Sequence, residues 1–235
     1  MTEHAAPQRA SDDGVDSPEP TPSSRVRRRW PLWVLAFLAL VTLTRGLLVE
    51  TFSVPSGSMQ PTLSAGDRIV VWKPAADEVR RGDVIVFDGT GTFGPRRGAS
   101  EPGGLAAVVR SVGDAFGFRS GQSDYVKRVI GVGGDRVRMD ERGRVFVNGL
   151  ALSEPYADTR AAGPAFDIQV PPGRLWVMGD HRGDSDDSRG HLGDPGGGTV
   201  RVDDVVGTVV GRYWPLNELG GVSSAAPRED PGADR

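Results

Sequence analysis

A serine on a stiff turn and a lysine kept out of water can together attack an amide carbonyl, and this 235-residue chain offers both. The stretch 51–67, TFSVPSGSMQPTLSAGD, carries Ser56 and Ser58 on either side of Gly57. Pro55 and Pro61 fix φ at two places and remove two backbone donors. Gly57 permits an unusual backbone between the two hydroxyls. A serine presented this way, with a nearby N–H open to a ligand, is what a nucleophile and its oxyanion hole require. Taken alone, Pro-Ser-Gly-Ser is weak evidence, since most such strings are simple surface turns.

The base is suggested by a count. The 28 basic residues are 26 Arg and 2 Lys, the latter being Lys73 and Lys127. Arg stays protonated in proteins, whereas a buried Lys can lose its proton and act as a base. In an extended 124–130 (DYVKRVI), Lys127 shares a face with Tyr125 and Val129, and Arg128 points the other way. Lys127 then faces an apolar side and Arg128 a polar one. Desolvation disfavours an ammonium and lowers a buried lysine pKa, in extreme cases by about 3–5 units. The plain alternative is a surface lysine. Lys73 precedes Pro74 at a strand end and reads as solvated.

A third element, 179–189 (GDHRGDSDDSR), sets His181, Ser185 and Ser188 among four Asp and two Arg. Its acid spacing would also suit a solvated loop or a hard cation. The two Arg argue against the cation, because they pair with the acids. The three His are His4, His181 and His191, and Cys is absent. No disulfide, thiol nucleophile or thiolate zinc site is therefore available, and a three-His metal site is not expected. No cofactor is expected either. His181 or His191 as catalytic base is a weaker option. A net charge of −3 with a pI near 5.7 gives no field suited to nucleic acid.

These residues need a frame. From Asp67 onward the chain reads as short β-rich runs at 67–72, 83–88, 124–132, 135–139, 144–152, 174–180 and 204–214, separated by Gly, Pro and Asp. Asn148-Gly149 is a two-residue hairpin signal. No βαβ alternation is present, so an antiparallel, mostly-β architecture is expected. Residues 105–118 suit one amphipathic helix weakened by two internal Gly.

Upstream, residues 1–29 are polar and read as a disordered tail ending in Arg25, Arg27, Arg28 and Arg29. Residues 30–44 carry no charge, and the apolar pattern resumes at 47–49 after Arg45-Gly46. A spanning helix needs roughly 20 residues. A transmembrane helix is expected over 30–52, with Arg45 near the outer interface and Trp30 and Trp33 at the inner one. The Arg cluster puts the N-terminus in the cytoplasm and the folded part outside the cell membrane, as a single-pass protein. A cleavable secretory signal is the alternative, but the polar N-terminal stretch is long for one. Residues 215–235 read as a disordered tail.

Together these elements resemble the type I signal peptidase family of bacterial leader peptidases. The string 55–63, PSGSMQPTL, is similar to the family's nucleophile motif. Residues 81–87 (RGDVIVF), Lys127-Arg128 with Gly131 and Gly134-Asp135, and 179–189 match the following motifs in order. The resemblance implies a serine endopeptidase that removes signal peptides from secretory preproteins at the membrane lipid surface. Ser58 would be the nucleophile and Lys127 its general base. Ser56 would lend its hydroxyl to the oxyanion hole, and Ser185 would orient the Lys127 amine. Asp187 and Arg189 would form a loop-shaping ion pair supported by Asp180. Tyr125 would help line shallow pockets, which favour small residues before the cut. The implied fold is an antiparallel β-sheet catalytic core over 53–214 with a small β cap insertion at 140–172, reduced to little more than a hairpin. His181 and Gly183 depart from the family pattern, as does the Gly-rich stretch after Arg189. Two rivals remain: a self-cleaving Ser-Lys protease of repressor type, and a membrane-anchored β-domain that binds a partner without catalysis.

Overall fold

Strand β5, Asp124–Val132, is flanked on both sides by other strands, and its position explains most of the architecture. Its neighbours are β3, Val84–Asp88, and β10, Arg174–Met178, both antiparallel to it. The structure, a computed structural model, describes residues 30–37, 40, 41, 48–94, 118, 119, 124–159, 163–222, 228 and 229. The chain forms two compact units, Met1–Val41 and Thr42–Arg235. In the first, residues 30–37, 40 and 41 are helical, and their large apolar side chains are exposed.

The second unit holds two sheets. The larger adds β1 (Val49–Ser53), β2 (Arg68–Trp72), β4 (Phe118–Arg119), β11 (Val200–Arg201) and β12 (Val205–Trp214), in the order β11-β10-β5-β3-β12-β2-β1-β4. The smaller contains β6 (Arg136–Met139), β7 (Val145–Val147), β8 (Leu150–Ser153), β9 (Phe166–Gln169) and β13 (Arg228–Glu229), in the order β13-β8-β7-β6-β9.

Alternation along β3 sorts the core. Val84 and Val86 enter one apolar cluster with Phe52, Val54, Met59, Leu63 and Val126. Ile85 and Phe87 enter another with Phe93, Tyr125, Val129 and Val177. The smaller sheet seals a third cluster, in which Val137, Met139, Val147 and Phe166 meet Ile130, Trp176 and Met178 of the larger sheet. Burying each such side chain contributes roughly 1.5–3 kcal/mol. The chain passes from β5 to β6 through Gly133-Gly134, and Gly134 takes φ +96°, a conformation that suits glycine. Arg81 and Asp135 close this junction with a 2.7 Å bond from Nε to Oδ2.

Most expected strands are present, and the Asn148-Gly149 turn has both φ values positive, as a type I′ hairpin requires. Three expectations are corrected. The helix over 30–52 does not extend that far, because Val49–Ser53 pairs with β2 as a buried strand. No helix among the described residues is long and apolar enough to cross a membrane. The cap is a five-stranded sheet that starts at Arg136, not a hairpin inside 140–172, because β6 and β9 pair along their full length. Residues 215–222 are not a loose tail. Arg212 N–H donates to Gly220 C=O at 2.8 Å, and the Arg212 guanidinium holds Glu218, so the chain folds back on β12. Of the proposed 105–118 helix, 105–117 lie outside the described residues, as do residues 1–29, and Phe118 begins β4.

Candidate active site

Ser58 sits on the turn between β1 and β2. The turn is tied down at its base, where Val54 N–H donates to Asp67 C=O and Gly66 N–H to Val54 C=O, each at 2.8 Å. Met59 and Leu63 anchor it from inside, both fully buried in the first core cluster. Lys127 lies mid-strand on β5, opposite Ile85 of β3, on the same face as Tyr125 and Val129. Its Nζ stands 5.9 Å from the centre of the Tyr125 ring, which is itself stacked on Phe87.

These two elements bring the candidate pair into contact. Lys127 Nζ lies 2.7 Å from Ser58 Oγ, with Lys127 2% and Ser58 8% exposed. The Ser56 hydroxyl donates to Ser58 Oγ at 3.3 Å from an exposed position. Ser185 lies in the same neighbourhood. Its buried Oγ sits against Gly179, in the space that a Cβ there would fill, where the Ser58 carbonyl also lies.

The 179–189 loop is held by ion pairs. Arg189 bonds Asp187 through Nε at 2.9 Å and Nη2 at 2.8 Å, as expected. Burial alone would raise the Asp187 carboxyl, but Arg189 and the Gly179 N–H more than offset it and hold it below the usual carboxylate range. Ser188 Oγ accepts the Val177 N–H at 3.0 Å, which ties the loop to β10.

Asp180 is tied to β5 by an ion pair with Arg128. It is fully buried and accepts from Arg128 Nε at 2.9 Å and Nη2 at 2.7 Å, and from the Thr62 hydroxyl. The polar side expected for Arg128 is therefore internal, and the guanidinium also stacks 4.0 Å from the Tyr156 ring and donates to Gly82 C=O. A neighbouring pair, Arg182 with Glu154, is equally closed, and Tyr156 OH donates to Glu154 Oε1 at 2.9 Å. Desolvation, with the Glu154 charge, raises the Tyr156 phenol and keeps it protonated. The sequence marks no role for Thr62, Glu154 or Tyr156, and it suggests that Arg182 pairs with the acids of its own loop, whereas Arg182 pairs with Glu154. The four are scattered over 120 positions, and the one local hint was a charged residue, Arg128, inside an apolar strand.

Two other expectations are settled by contacts. Lys73 is not simply solvated, because its Nζ lies 2.9 Å from the buried Glu50 carboxylate. His191 is bound on both ring nitrogens by Asp194 and Asp186 and stacks on Phe93, so it is a loop clamp. His181 meets Ser58 through its backbone, its N–H donating to Ser58 C=O at 3.1 Å. Among the described residues, no cluster of three or more His, Cys, Asp or Glu could hold a metal.

Comparison with known proteins adds a family. A model described as signal peptidase, peptidase S26, matches residues 27–214. A signal peptidase I of Mycobacterium tuberculosis is 37% identical, covering 92% of this chain and 81% of the relative. A signal peptidase I of Bacillus caldolyticus is 33% identical, covering 82% of this chain and 93% of the relative. The crystal structure of a signal peptidase I from Enterococcus faecalis aligns with a TM-score of 0.35 and 23% identity, over 55% of this chain and 95% of that one. The chain belongs to the signal peptidase family, peptidase S26, and is a serine protease of the signal peptidase I type.

Proposed function

We propose that this protein is a membrane-anchored endopeptidase that removes N-terminal signal peptides from secretory preproteins, with Ser58 as nucleophile and Lys127 as general base. The observation that carries the reading is the 2.7 Å approach of Lys127 Nζ to Ser58 Oγ, with both residues buried. An amine enclosed in this way is disfavoured as an ammonium, and a neutral amine can take a hydroxyl proton.

Ser58 Oγ attacks the scissile carbonyl as its proton moves to Lys127 Nζ. The oxyanion is stabilised by the Ser58 N–H, which among the described residues no acceptor engages, and by the Ser56 hydroxyl. One such donor contributes about 3–4 kcal/mol to the transition state. The C–N bond then breaks, and the leaving amine takes the proton from Lys127. Water, deprotonated by the same amine, cleaves the ester and frees the signal peptide. Apolar side chains around the pair, Tyr125 among them, favour small residues at the first and third positions before the cut.

The anchor is the apolar segment beginning at Trp30 and ending before β1. Its support is the uncharged run 30–44 behind four Arg, and the exposed side chains of Trp30, Leu32, Trp33, Leu35 and Phe37. The N-terminus is cytoplasmic and the catalytic unit extracytoplasmic. Ser58 follows Val49 by nine residues of at most about 3.5 Å each, so the site stays close to the lipid.

Ser58→Ala and Lys127→Arg are each expected to abolish preprotein cleavage while circular dichroism stays unchanged. Substantial cleavage by either variant refutes the dyad. The rate should rise with pH along a limb set by the Lys127 amine. A rate that is constant from well below neutrality upward contradicts the assignment.

A further inference from the structure

We propose that Arg212 is a positioning residue for Ser58: through Asp67 it clamps the base of the nucleophile turn to the segment 215–220 that folds back on β12. The proposal rests on the reading of Ser58 as nucleophile.

The turn needs a brace. Strands β1 and β2 pair as far as Ser53 opposite Arg68, so residues 54–67 lie outside the ladder. An ordinary hairpin loop has about two to five residues. Asp67 closes this longer one three times. Its C=O accepts the Val54 N–H, its N–H donates to Ser64 C=O at 3.1 Å, and its carboxylate Oδ2 accepts the Ser64 N–H at 2.8 Å. Met59 and Leu63 fix the depth of the turn from inside the core, and Asp67 fixes its base.

This closure carries a charge. The Asp67 side chain is 5% exposed, and a buried carboxylate is costly without a cation. Arg212 supplies one from 145 residues along the chain, with Nη1 2.7 Å from the same Oδ2 that holds the Ser64 N–H. Without the guanidinium, the carboxylate must turn toward water or take up a proton. Either change weakens its hold on Ser64.

Arg212 is itself fixed from the far side. Its Nε donates to Glu218 C=O at 3.0 Å, and Nη1 lies 2.8 Å from Glu218 Oε2. Its backbone exchanges two hydrogen bonds with Gly220. The β12 ladder shifts register at Val209/Gly211 and again at Arg212/Trp214, and such irregularities re-aim side chains. A Cβ at residue 211 would lie 3.0 Å from Gly220 C=O, so glycine there lets the fold-back approach this closely. One guanidinium thus joins the turn, the last strand of the larger sheet and the fold-back. Arg212 and Asp67 act through the turn and not on the reacting atoms, so loss of the brace slows acylation and leaves substrate affinity in place.

The test uses the full chain in detergent micelles and a secretory preprotein, with active sites counted by a serine-acylating probe carried to its endpoint. Misplacing a reacting group by about 1 Å costs on the order of 10²-fold. Arg212→Met should therefore lower kcat per counted site by about 10- to 100-fold, with KM within about twofold. Asp67→Asn keeps an acceptor for Ser64 but removes the charge that Arg212 holds, and should lower kcat in the same way. The double variant should lose no more than the worse single, because the two side chains act as one unit. Arg212→Lys returns a cation to Asp67 and should recover most of the rate. A merely structural role would lower Tm and the number of sites while kcat per site stayed at the wild-type value, and that result overturns the proposal. So do losses that multiply in the double variant, a loss confined to KM, or Arg212→Lys no faster than Arg212→Met. Should Arg212→Met fail to fold, Asp67→Asn and Arg212→Lys decide by the same readout. Normal kcat in Arg212→Met beside an inactive Ser58→Ala overturns the brace alone, whereas cleavage that survives Ser58→Ala overturns the nucleophile reading and the brace with it.

Discussion

Replacing Asp180 by alanine removes one half of an ion pair that has no access to water. Arg128 is 1% exposed and Asp180 0%. The guanidinium would keep Gly82 C=O and the Tyr156 ring but lose both bonds to a carboxylate, and the Thr62 hydroxyl would lose its acceptor. Breaking such a pair from one side costs about 3–5 kcal/mol, because the remaining charge is buried uncompensated. Total stability is typically about 5–15 kcal/mol. For a unit of this size each kcal/mol moves Tm by about 2–4 °C, so Asp180→Ala should melt about 6–20 °C lower. The assay is a near-UV circular dichroism melt of the full chain in detergent. Activity should fall too, since the backbone of Asp180 and His181 touches Asp158 and Ser58. The double variant Arg128→Met, Asp180→Leu removes both charges and should recover most of the lost Tm. A loss under about 1 kcal/mol in Asp180→Ala, or a double variant no better than the single, refutes the reasoning.

Two further outcomes follow from the site. Ser56→Ala should lower kcat by about 10²–10³-fold with little change in KM, as expected for a donor used in the transition state; an unchanged kcat in steady-state assays removes Ser56 from the oxyanion hole. Burial would lower the His191 pKa, but the bonds and charges of Asp194 and Asp186 hold it above its ordinary 6.5. A raised folded-state value means that the clamp's contribution is fully present below about pH 6.5 and is lost as pH rises through the higher folded value. The Tm difference between wild type and His191→Gln should therefore shrink across that window, and a constant difference contradicts it.

What the sequence discloses depends on range. Strand β5 was legible over its full length because alternation and flanking Gly mark it, and the hairpin at Asn148-Gly149 because turn chemistry is local. Strand β1 was not, since Leu47–Val49 continues an apolar run, and a buried strand has the same composition as the end of a membrane helix. The smaller sheet was underestimated because β9 is four residues between Gly and Pro, and β13 joins from far along the chain. At the site, the scarcity of Lys singled out Lys127 and the prolines singled out Ser58, 69 residues apart. The network around Arg128 needs Thr62, Glu154, Tyr156 and Asp180 at once, and no local pattern announces a contact among four distant segments.

The close approach of Ser185 and Ser58 to Gly179 was illegible for a reason that can be tested. Gly179 leaves a gap that Ser185 and Ser58 share: a Cβ there would collide with Ser185 Oγ on one side and Ser58 C=O on the other. The Ser58 carbonyl is backbone, fixed by the His181 N–H, and cannot swing aside as a side chain can. Gly179→Ala must therefore displace the nucleophile's own peptide. Overpacking of this kind costs about 1–3 kcal/mol in stability. Misplacing a reacting group by about 1 Å costs on the order of 10²-fold in rate. Single-turnover cleavage should thus fall far more than the melt implies. Adding Ser185→Gly relieves the side-chain half of the collision and should return part of the Tm, yet leave the rate low, because the carbonyl half persists. A Gly179→Ala variant that cleaves at the wild-type rate would mean that the backbone at Ser58 has room to spare, and that the tight seat inferred for it is not what positions its hydroxyl on the amine.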